Sequence, residues 1–185
     1  MLDVIETIAE NVPLEEQQVT APYSNLAIGA AKVERDTLNG LVYAVSFGIN
    51  ETEPRSEIHN SQVDDMMDFI SLPKSLLRHL KDEERSNFLR ISMISLRDDK
   101  LYRVMKMSST KTNPKINSHI IAVNILNVHE PVTNLDEPIK ISFHVIVPNA
   151  TNPQCVYWDK SSEHWSTKGC DISNYVPGKK VLCFY

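Results

Sequence analysis

The sequence predicts a mainly β fold, a twisted antiparallel β-sandwich with one short helix and a remnant helix at its amino terminus. Segments in which apolar and polar residues alternate recur about every ten residues, and turn residues separate them, as in antiparallel sandwiches. A chain of 185 residues is long enough to bury the core of one such domain.

The amino-terminal segment has the period of a helix until Pro13 ends the pattern. Its apolar residues at helical spacing are Leu2, Ile5, Ile8, Ala9 and Val12. We therefore predict the last turns of an amphipathic helix there, followed by a polar linker.

The first predicted strand pair flanks Asn39-Gly40, a dipeptide typical of two-residue hairpin turns. The strand that follows has apolar residues at alternate positions: Leu41, Tyr43, Val45 and Phe47. We expect residues 30–35 to pair with residues 41–47 in one sheet.

The middle of the chain is polar and acidic. Residues 51–65 lack a regular apolar period, which predicts an exposed loop. Pro73 suits the first turn of a helix, and leucines follow it, so we predict a short helix over residues 73–81.

Alternating apolar residues predict the remaining strands. They cover residues 89–93, 101–107, 119–125, 139–147 and 181–185. A turn at Asp98-Asp99 precedes the second of these strands, and a turn at Pro177-Gly178 precedes the last. The alternation is clearest in residues 139–147, and no internal repeat is present.

Composition excludes several classes of function. The formal net charge of −5 and the pI near 5.7 disfavour sequence-independent binding to nucleic acid or anionic lipid. No apolar run is long enough to span a bilayer, and the first residues lack the basic and apolar regions of a signal peptide. We expect either a cytosolic protein or a fragment of something longer.

No catalytic, cofactor or metal site is predicted. The six histidines show no metal-ligand spacing, and the five glycines form no phosphate-binding loop. We expect His144 to be a surface residue. Asp64, Asp65 and Asp68 predict a solvated acidic turn, because the glycine and glutamate of a calcium loop are missing. No nucleophile elbow indicates an enzyme.

Cysteines and tryptophans cluster near the carboxyl terminus. They are Cys155, Trp158, Trp165, Cys170 and Cys183. Three cysteines cannot all pair within one chain, and their position beside two indoles predicts a disulfide-stapled region. Two glycosylation sequons, at Asn50 and Asn149, favour a secretory route.

This segment resembles the proteolysis-site (GPS) motif of adhesion G-protein-coupled receptors and polycystin-like proteins. There, Cys-x-x-Trp, Trp-x-x-x-x-Cys and a final Cys-x-Cys precede His-Leu-Thr. The matching residues are Cys155, Trp158, Trp165, Gly169, Cys170 and Cys183. With falling specificity the resemblance extends upstream through Leu-Pro-Lys-Ser-Leu-Leu at 72–77, in the order of the larger GPCR autoproteolysis-inducing (GAIN) domain.

The resemblance implies a division of the chain. Residues 1–20 correspond to a remnant of the family's helical subdomain plus a linker. Residues 21–185 correspond to its β-sandwich subdomain, which ends in the motif over about 153–185.

The resemblance also assigns roles to the motif residues. It implies a disulfide between Cys155 and Cys183. Tyr185 stands where the family has its fourth cysteine, so Cys170 is expected to be an unpaired thiol. Trp158, Trp165, Gly169 and Tyr185 are then structural positions of the motif.

In the family, the threonine of His-Leu-Thr attacks the preceding carbonyl, with the histidine as general base. The given sequence stops before this tripeptide, so the resemblance implies that the chain as written does not cleave itself. It also implies that the family's final strand is missing, which would leave an apolar groove with unpaired backbone groups.

The resemblance implies a non-catalytic juxtamembrane module on the extracellular face of the plasma membrane. It would sheathe the activating strand of a seven-helix receptor and transmit ligand or force signals. The expected partners are that C-terminal strand, the seven-helix region and an extracellular protein ligand, without nucleic acid or cofactor. The alternative is a secreted β-sandwich adhesion or binding module that is attached to no receptor.

Overall fold

The structure is a computed structural model and describes residues 2–34, 40–48, 53–59, 67–76, 88–102, 115–126, 128 and 134–185. Within these ranges helix α1 spans Leu2–Asn11, as the helical period predicted. The strands are β1 (Gln18–Pro22), β2 (Leu26–Glu34), β3 (Leu41–Ser46), β4 (Arg55–His59), β5 (Asp68–Leu72), β6 (Phe88–Leu96), β7 (Ile120–Ile125), β8 (Lys140–His144), β9 (Tyr157–Asp159), β10 (His164–Ser166), β11 (Asp171–Val176) and β12 (Lys180–Phe184).

The strands form two main sheets and a separate hairpin. Sheet A has the order β1-β2-β6-β7, and sheet B has the order β11-β12-β8-β5-β3-β4, while β9 pairs only with β10. Every pairing in these sheets is antiparallel. The predicted mainly β, antiparallel fold with an amino-terminal helix is therefore confirmed.

The main core lies between sheets A and B. The alternate apolar residues of β3 that the sequence singled out are all buried in it: Leu41, Tyr43, Val45 and Phe47. A Cβ atom on Gly29 of β2 would lie 3.1 Å from Cε2 of Tyr43, so the absence of a side chain there makes room for the ring. β2 and β3 thus face each other across the sandwich.

This arrangement makes the predicted hairpin across Asn39-Gly40 wrong. β2 pairs with β1 on one side and β6 on the other, and β3 pairs with β4 and β5. Residues 27–31 of β2 are buried without interruption, so this strand lies inside its sheet and has no free edge for β3. The positive φ of Gly40 (96°) is compatible with a sharp change in the direction of the chain, but it does not require a two-stranded hairpin.

Of three other predictions of local structure, one is wrong and two lie mostly outside the described residues. Residues 51–65 were expected to form a loop, but β4 occupies residues 55–59 and buries Ser56 and Ile58. Most of the predicted helix at 73–81 and of the predicted strand at 101–107 lies outside the described residues.

The predicted strand at 139–147 is present but shorter. β8 ends at His144, whose backbone N–H donates to the carboxylate of Asp68 at 2.6 Å instead of continuing the ladder. The turn at Pro177-Gly178 is confirmed, with Gly178 at a φ of 68°, and it joins β11 to β12.

A second apolar cluster covers the outer face of sheet A. It contains Ala9 of α1, Ile94 of β6, Tyr102 and the partly buried Trp158 and Trp165. The helix and the β9–β10 hairpin therefore pack on the same side of the sandwich. No helix in the described part of the chain is long and apolar enough to cross a bilayer.

Candidate functional site

The β9–β10 hairpin brings the two tryptophans of the motif together. Trp158 is directly opposite Trp165 in the antiparallel register, with ring centroids 5.4 Å apart in an edge-to-face arrangement. At the tip, the Asp159 carboxylate accepts hydrogen bonds from the backbone N and the hydroxyl of Ser161, at 2.9 and 2.6 Å. The short hairpin thus explains why the two tryptophans, which are separated in the sequence, lie opposite each other in the structure.

Tyr102 completes an aromatic cluster with the two tryptophans. Its ring centroid is 5.1 Å from that of Trp158 and 5.0 Å from that of Trp165. Burial, and secondly the charge of Glu6, raise the pKa of Tyr102 to about 12. Tyr102 could not be singled out from the sequence, because its position was predicted to lie in a strand and no local pattern marks a contact with residues about 60 positions further along the chain.

Helix α1 is held against this cluster. Ala9 is fully buried, and Ile5 packs on the same group of residues. Lys160, at the tip of the hairpin, pairs with the carboxylate of Glu6 at 2.6 Å. The guanidinium of Arg90 donates to the carbonyls of Glu10 and Val12, the former at 2.6 Å.

The contact of Arg90 is a helix cap supplied by a strand. The last turn of α1 contains no basic residue, so no local positive charge offsets the negative end of its dipole. Arg90 on β6 supplies both the charge and the hydrogen-bond donors. The orientation of α1 is therefore tied to sheet A and to the hairpin.

The hairpin is also tied to β12. Cys155, just before β9, forms a disulfide with Cys183 of β12, with Cα atoms 5.8 Å apart. The Tyr185 hydroxyl donates to the carbonyl of Val156 at 3.0 Å. Tyr185 also exchanges two backbone hydrogen bonds with Ile139, both 3.0 Å, so the end of β12 is fixed on two sides.

Cys170 is unpaired among the described cysteines and half-buried. It follows Gly169, which has a φ of 75°, in a turn closed by the Cys170 N–H donating to the Thr167 carbonyl at 3.1 Å. Burial and the charge of Asp171 raise the pKa of the Cys170 thiol to about 11, although a hydrogen bond with the Tyr185 side chain opposes this. Burial and the same thiol raise the pKa of Tyr185. The thiol is therefore a poor nucleophile near neutral pH.

Among the described strands, sheet A ends at β7 on one side of the sandwich. β1 and β2 lie against β4 at one side, and sheet A ends at β7 while sheet B continues through β12 to β11. Among the described strands, β7 pairs only with β6. Its inward side chains, Ile121, Val123 and Ile125, are only partly buried. The edge therefore offers backbone hydrogen-bonding groups beside apolar side chains.

Asp68 forms a polar cluster with two histidines, and its burial corrects one expectation. It is 2% exposed and does not lie in a solvated acidic turn; Asp64 and Asp65 are outside the described residues. Its Oδ2 bonds to Nδ1 of His119, and its Oδ1 to Nδ1 of His144, both at 2.7 Å. His144, expected at the surface, has a side chain that is 34% exposed and is also a partner of this buried carboxylate.

Electrostatics keep Asp68 ionised. Burial acts to raise its pKa, but the hydrogen bonds from His119 and His144 and the charge of His119 outweigh burial and hold the pKa below its ordinary value of 3.8. An ionised carboxylate only accepts hydrogen bonds, so both imidazoles carry a proton at Nδ1. The cluster joins the start of β5, the residue before β7 and the end of β8, and so ties the two sheets together.

The loop after β8 carries the second sequon. Asn149 and Thr151 are exposed, while Asn50 lies outside the described residues. The Asn117 side chain accepts from the Val147 N–H at 2.7 Å and donates to its carbonyl at 3.1 Å, which fixes this loop. In the described part of the chain, no three His, Cys, Asp or Glu residues are arranged to hold a metal ion.

Comparison with known proteins gives a consistent result. The family model described as "GPS: GAIN subdomain B" matches residues 25–184. Adhesion G-protein coupled receptor G6 of Danio rerio is 22% identical over 191 residues, which covers 98% of this chain and 15% of the relative. Adhesion G protein-coupled receptor G3 of Mus musculus is 28% identical over 122 residues, covering 65% of this chain and 22% of the relative.

A solved structure shares the fold. The full extracellular region of zebrafish Gpr126/Adgrg6 superposes with a TM-score of 0.81 at 20% identity, and the match covers 99% of this chain and 24% of that one. The chain therefore spans less than a quarter of the length of each of these relatives.

Proposed function

Because the chain belongs to the GAIN subdomain B family, we propose that it is a non-catalytic extracellular module of a seven-helix adhesion receptor. In this role it sheathes the activating strand of the receptor and transmits force or ligand binding from its amino-terminal side. Its partners are that strand, the seven-helix region and an extracellular ligand. It lies on the outer face of the plasma membrane.

The open edge at β7 is the observation that supports this role. β7 has a partner on one side only among the described strands, and Ile121, Val123 and Ile125 lie inward beside the free edge. An added antiparallel strand would satisfy the backbone groups and cover these side chains, as in other cases of strand addition. Among the described strands, sheet A has four and ends at β7, whereas sheet B has six.

The same proposal assigns the remaining parts of the chain. Residues 1–20 are the end of a helical subdomain with its linker, and residues 21–185 are the sandwich, although β1 already begins at Gln18. The Cys155–Cys183 bridge anchors the strand that leads towards the activating segment.

Glycans on Asn50 and Asn149 are part of the proposal, and a loss of mass on enzymatic deglycosylation of secreted protein tests them.

The test uses the segment that follows this sandwich in the full-length transcript. Synthesised as a peptide and added to the purified chain, it should protect the β7 amides from hydrogen exchange. Val123→Glu, at the inward face of β7, should abolish this protection, whereas Ile172→Glu on β11, an edge strand of sheet B, should not.

Two outcomes contradict the proposal. The first is a transcript with a stop codon directly after Tyr185, and the second is a following segment that leaves the β7 amides unprotected. Either result would favour the secreted binding module instead.

A further inference from the structure

We propose that the β9–β10 hairpin couples helix α1 to the end of β12, so that displacement of α1 loosens the backbone around Cys183 and Tyr185. This inference rests on the proposed function for its meaning in a receptor, because α1 lies on the side where force would enter and β12 leads to the activating segment. The coupling itself is a property of the described residues alone.

The first step of the coupling runs from α1 to the hairpin. Lys160 at the hairpin tip pairs with Glu6 at 2.6 Å, and Glu6 lies close enough to Tyr102 for its charge to raise the pKa of that phenol. Ile5 and Trp158 pack on one apolar cluster. The helix thus contacts the hairpin through both an ion pair and buried apolar surface.

The second step runs from the hairpin to β12. The Cys155–Cys183 disulfide and the hydrogen bond from Tyr185 to Val156 join the same two segments of the chain. Only Val156 and Tyr157 separate the disulfide from Trp158. A shift of the tryptophans is therefore passed to β12 through a short and covalently fixed connection.

The hairpin is the element most able to move in response. Its strands have three residues each and, among the described strands, pair only with each other. A two-stranded hairpin of this size is only marginally stable alone, so its position depends on α1, Tyr102 and the disulfide. In contrast, β2 and β6, which also contact α1, are interior strands of nine residues with ladders on both sides.

Cys170 is a natural reporter of the end of β12. Its thiol is half-buried, and Cys170 directly precedes Asp171, which is paired with Phe184 of β12 in the antiparallel register. Loosening of the backbone around Cys183 and Tyr185 should therefore expose the thiol and speed its labelling by a thiol reagent. No foreign probe is needed.

The test compares two identical substitutions on α1. Ile5→Ala removes apolar contact with the cluster, and Ile8→Ala, at a position that is 52% exposed, is the matched control. Ile5→Ala should raise the Cys170 labelling rate about tenfold, equivalent to about 1.4 kcal/mol, and Ile8→Ala should leave it unchanged. Glu6→Gln, which removes only the ion pair with Lys160, should give about a twofold rise.

The second measurement tests whether the effects of Ile5→Ala and of removing the disulfide on Cys170 labelling are additive. In a Cys155→Ala/Cys183→Ala background the covalent link to β12 is removed and the Tyr185–Val156 hydrogen bond remains, so Ile5→Ala should raise the labelling rate by less than it does in the wild type. Hydrogen exchange should show lost protection in α1, residues 157–166 and residues 181–185, with Tyr43 and Ile91 in the main core unchanged.

Three results would overturn the coupling. The first is an unchanged Cys170 labelling rate in a variant whose α1 has lost protection from hydrogen exchange. The second is an equal loss of protection at Tyr43 and Ile91. The third is an additive effect of Ile5→Ala in the background without the disulfide. Strand addition at β7 is measured separately, so the coupling and the proposed function can fail independently.

Discussion

Asp68 and His144 are joined twice, because one carboxylate oxygen, Oδ1, accepts both the backbone N–H of His144 at 2.6 Å and its ring Nδ1 at 2.7 Å. This pair ends β8 and brings the start of β5 to the same point. His119 bonds to the other oxygen, so three donors surround a carboxylate that is 2% exposed. The stability of this end of the sandwich therefore depends on a single buried charge.

Asp68→Asn should lower the free energy of unfolding by about 3–5 kcal/mol, because an amide cannot accept at both oxygen positions and its NH₂ would face a donor. Urea unfolding followed by circular dichroism measures the loss. Asp98→Asn, the same change on an exposed turn, is the matched control and should have little effect. Equal stability of the two variants would contradict the role of the cluster.

The contribution of Asp68 should also depend on pH with a defined sign. Its folded pKa is lower than the ordinary value of 3.8, so its stabilising contribution is fully present above that value and is lost as the pH falls through the folded pKa. Unfolding free energies measured from neutral pH downward should show this loss in the wild type. A steep acid-side loss that persists unchanged in Asp68→Asn would assign it to other groups.

Removal of the disulfide should destabilise the chain. Cys155→Ala/Cys183→Ala frees a loop with a sequence separation of 28 residues and should lower the free energy of unfolding by about 2–4 kcal/mol. Both cysteines are replaced so that Cys170 cannot form a substitute bridge. Cys170→Ala is the control for loss of a thiol, and similar unfolding midpoints for the two variants would be the contrary result.

Tyr185→Cys should create a second disulfide. The side chains of Cys170 and Tyr185 interact, so a cysteine at 185 would lie near the free thiol. Thiol titration of the unfolded, unreduced protein should find one thiol in the wild type and none in Tyr185→Cys. Tyr185→Ser should keep its single thiol, and two free thiols in Tyr185→Cys would show that the side chains do not face each other.

Gly29→Ala tests how closely the two sheets pack. The new Cβ atom would lie 3.1 Å from Cε2 of Tyr43, so the ring must shift within a closed core. We expect a loss of about 1–3 kcal/mol in the free energy of unfolding. The loss should shrink when Tyr43→Leu is the starting background, and a full additive loss there would exclude the ring as the cause.

Much of the fold could be predicted, because strand and helix periods are local. The helical spacing before Pro13 and the alternation of Leu41, Tyr43, Val45 and Phe47 report which side chains are buried. The positions of β6, β7 and β12 followed from the same alternation. The partner of a strand is not local information, which is why β2 and β3, only a few residues apart, were wrongly expected to pair.

The sequence by itself determined the mainly β class, the amino-terminal helix and, through the order of its cysteines and tryptophans, the resemblance to the GAIN family that the family match confirms. Only the tertiary structure decided that Tyr102 joins Trp158 and Trp165, that Arg90 caps α1, and that Asp68 is buried between two histidines. Each of these contacts joins residues that are far apart in the chain. A carboxylate or a ring has no local pattern that reveals its partner, because the partner is set by how the two sheets pack.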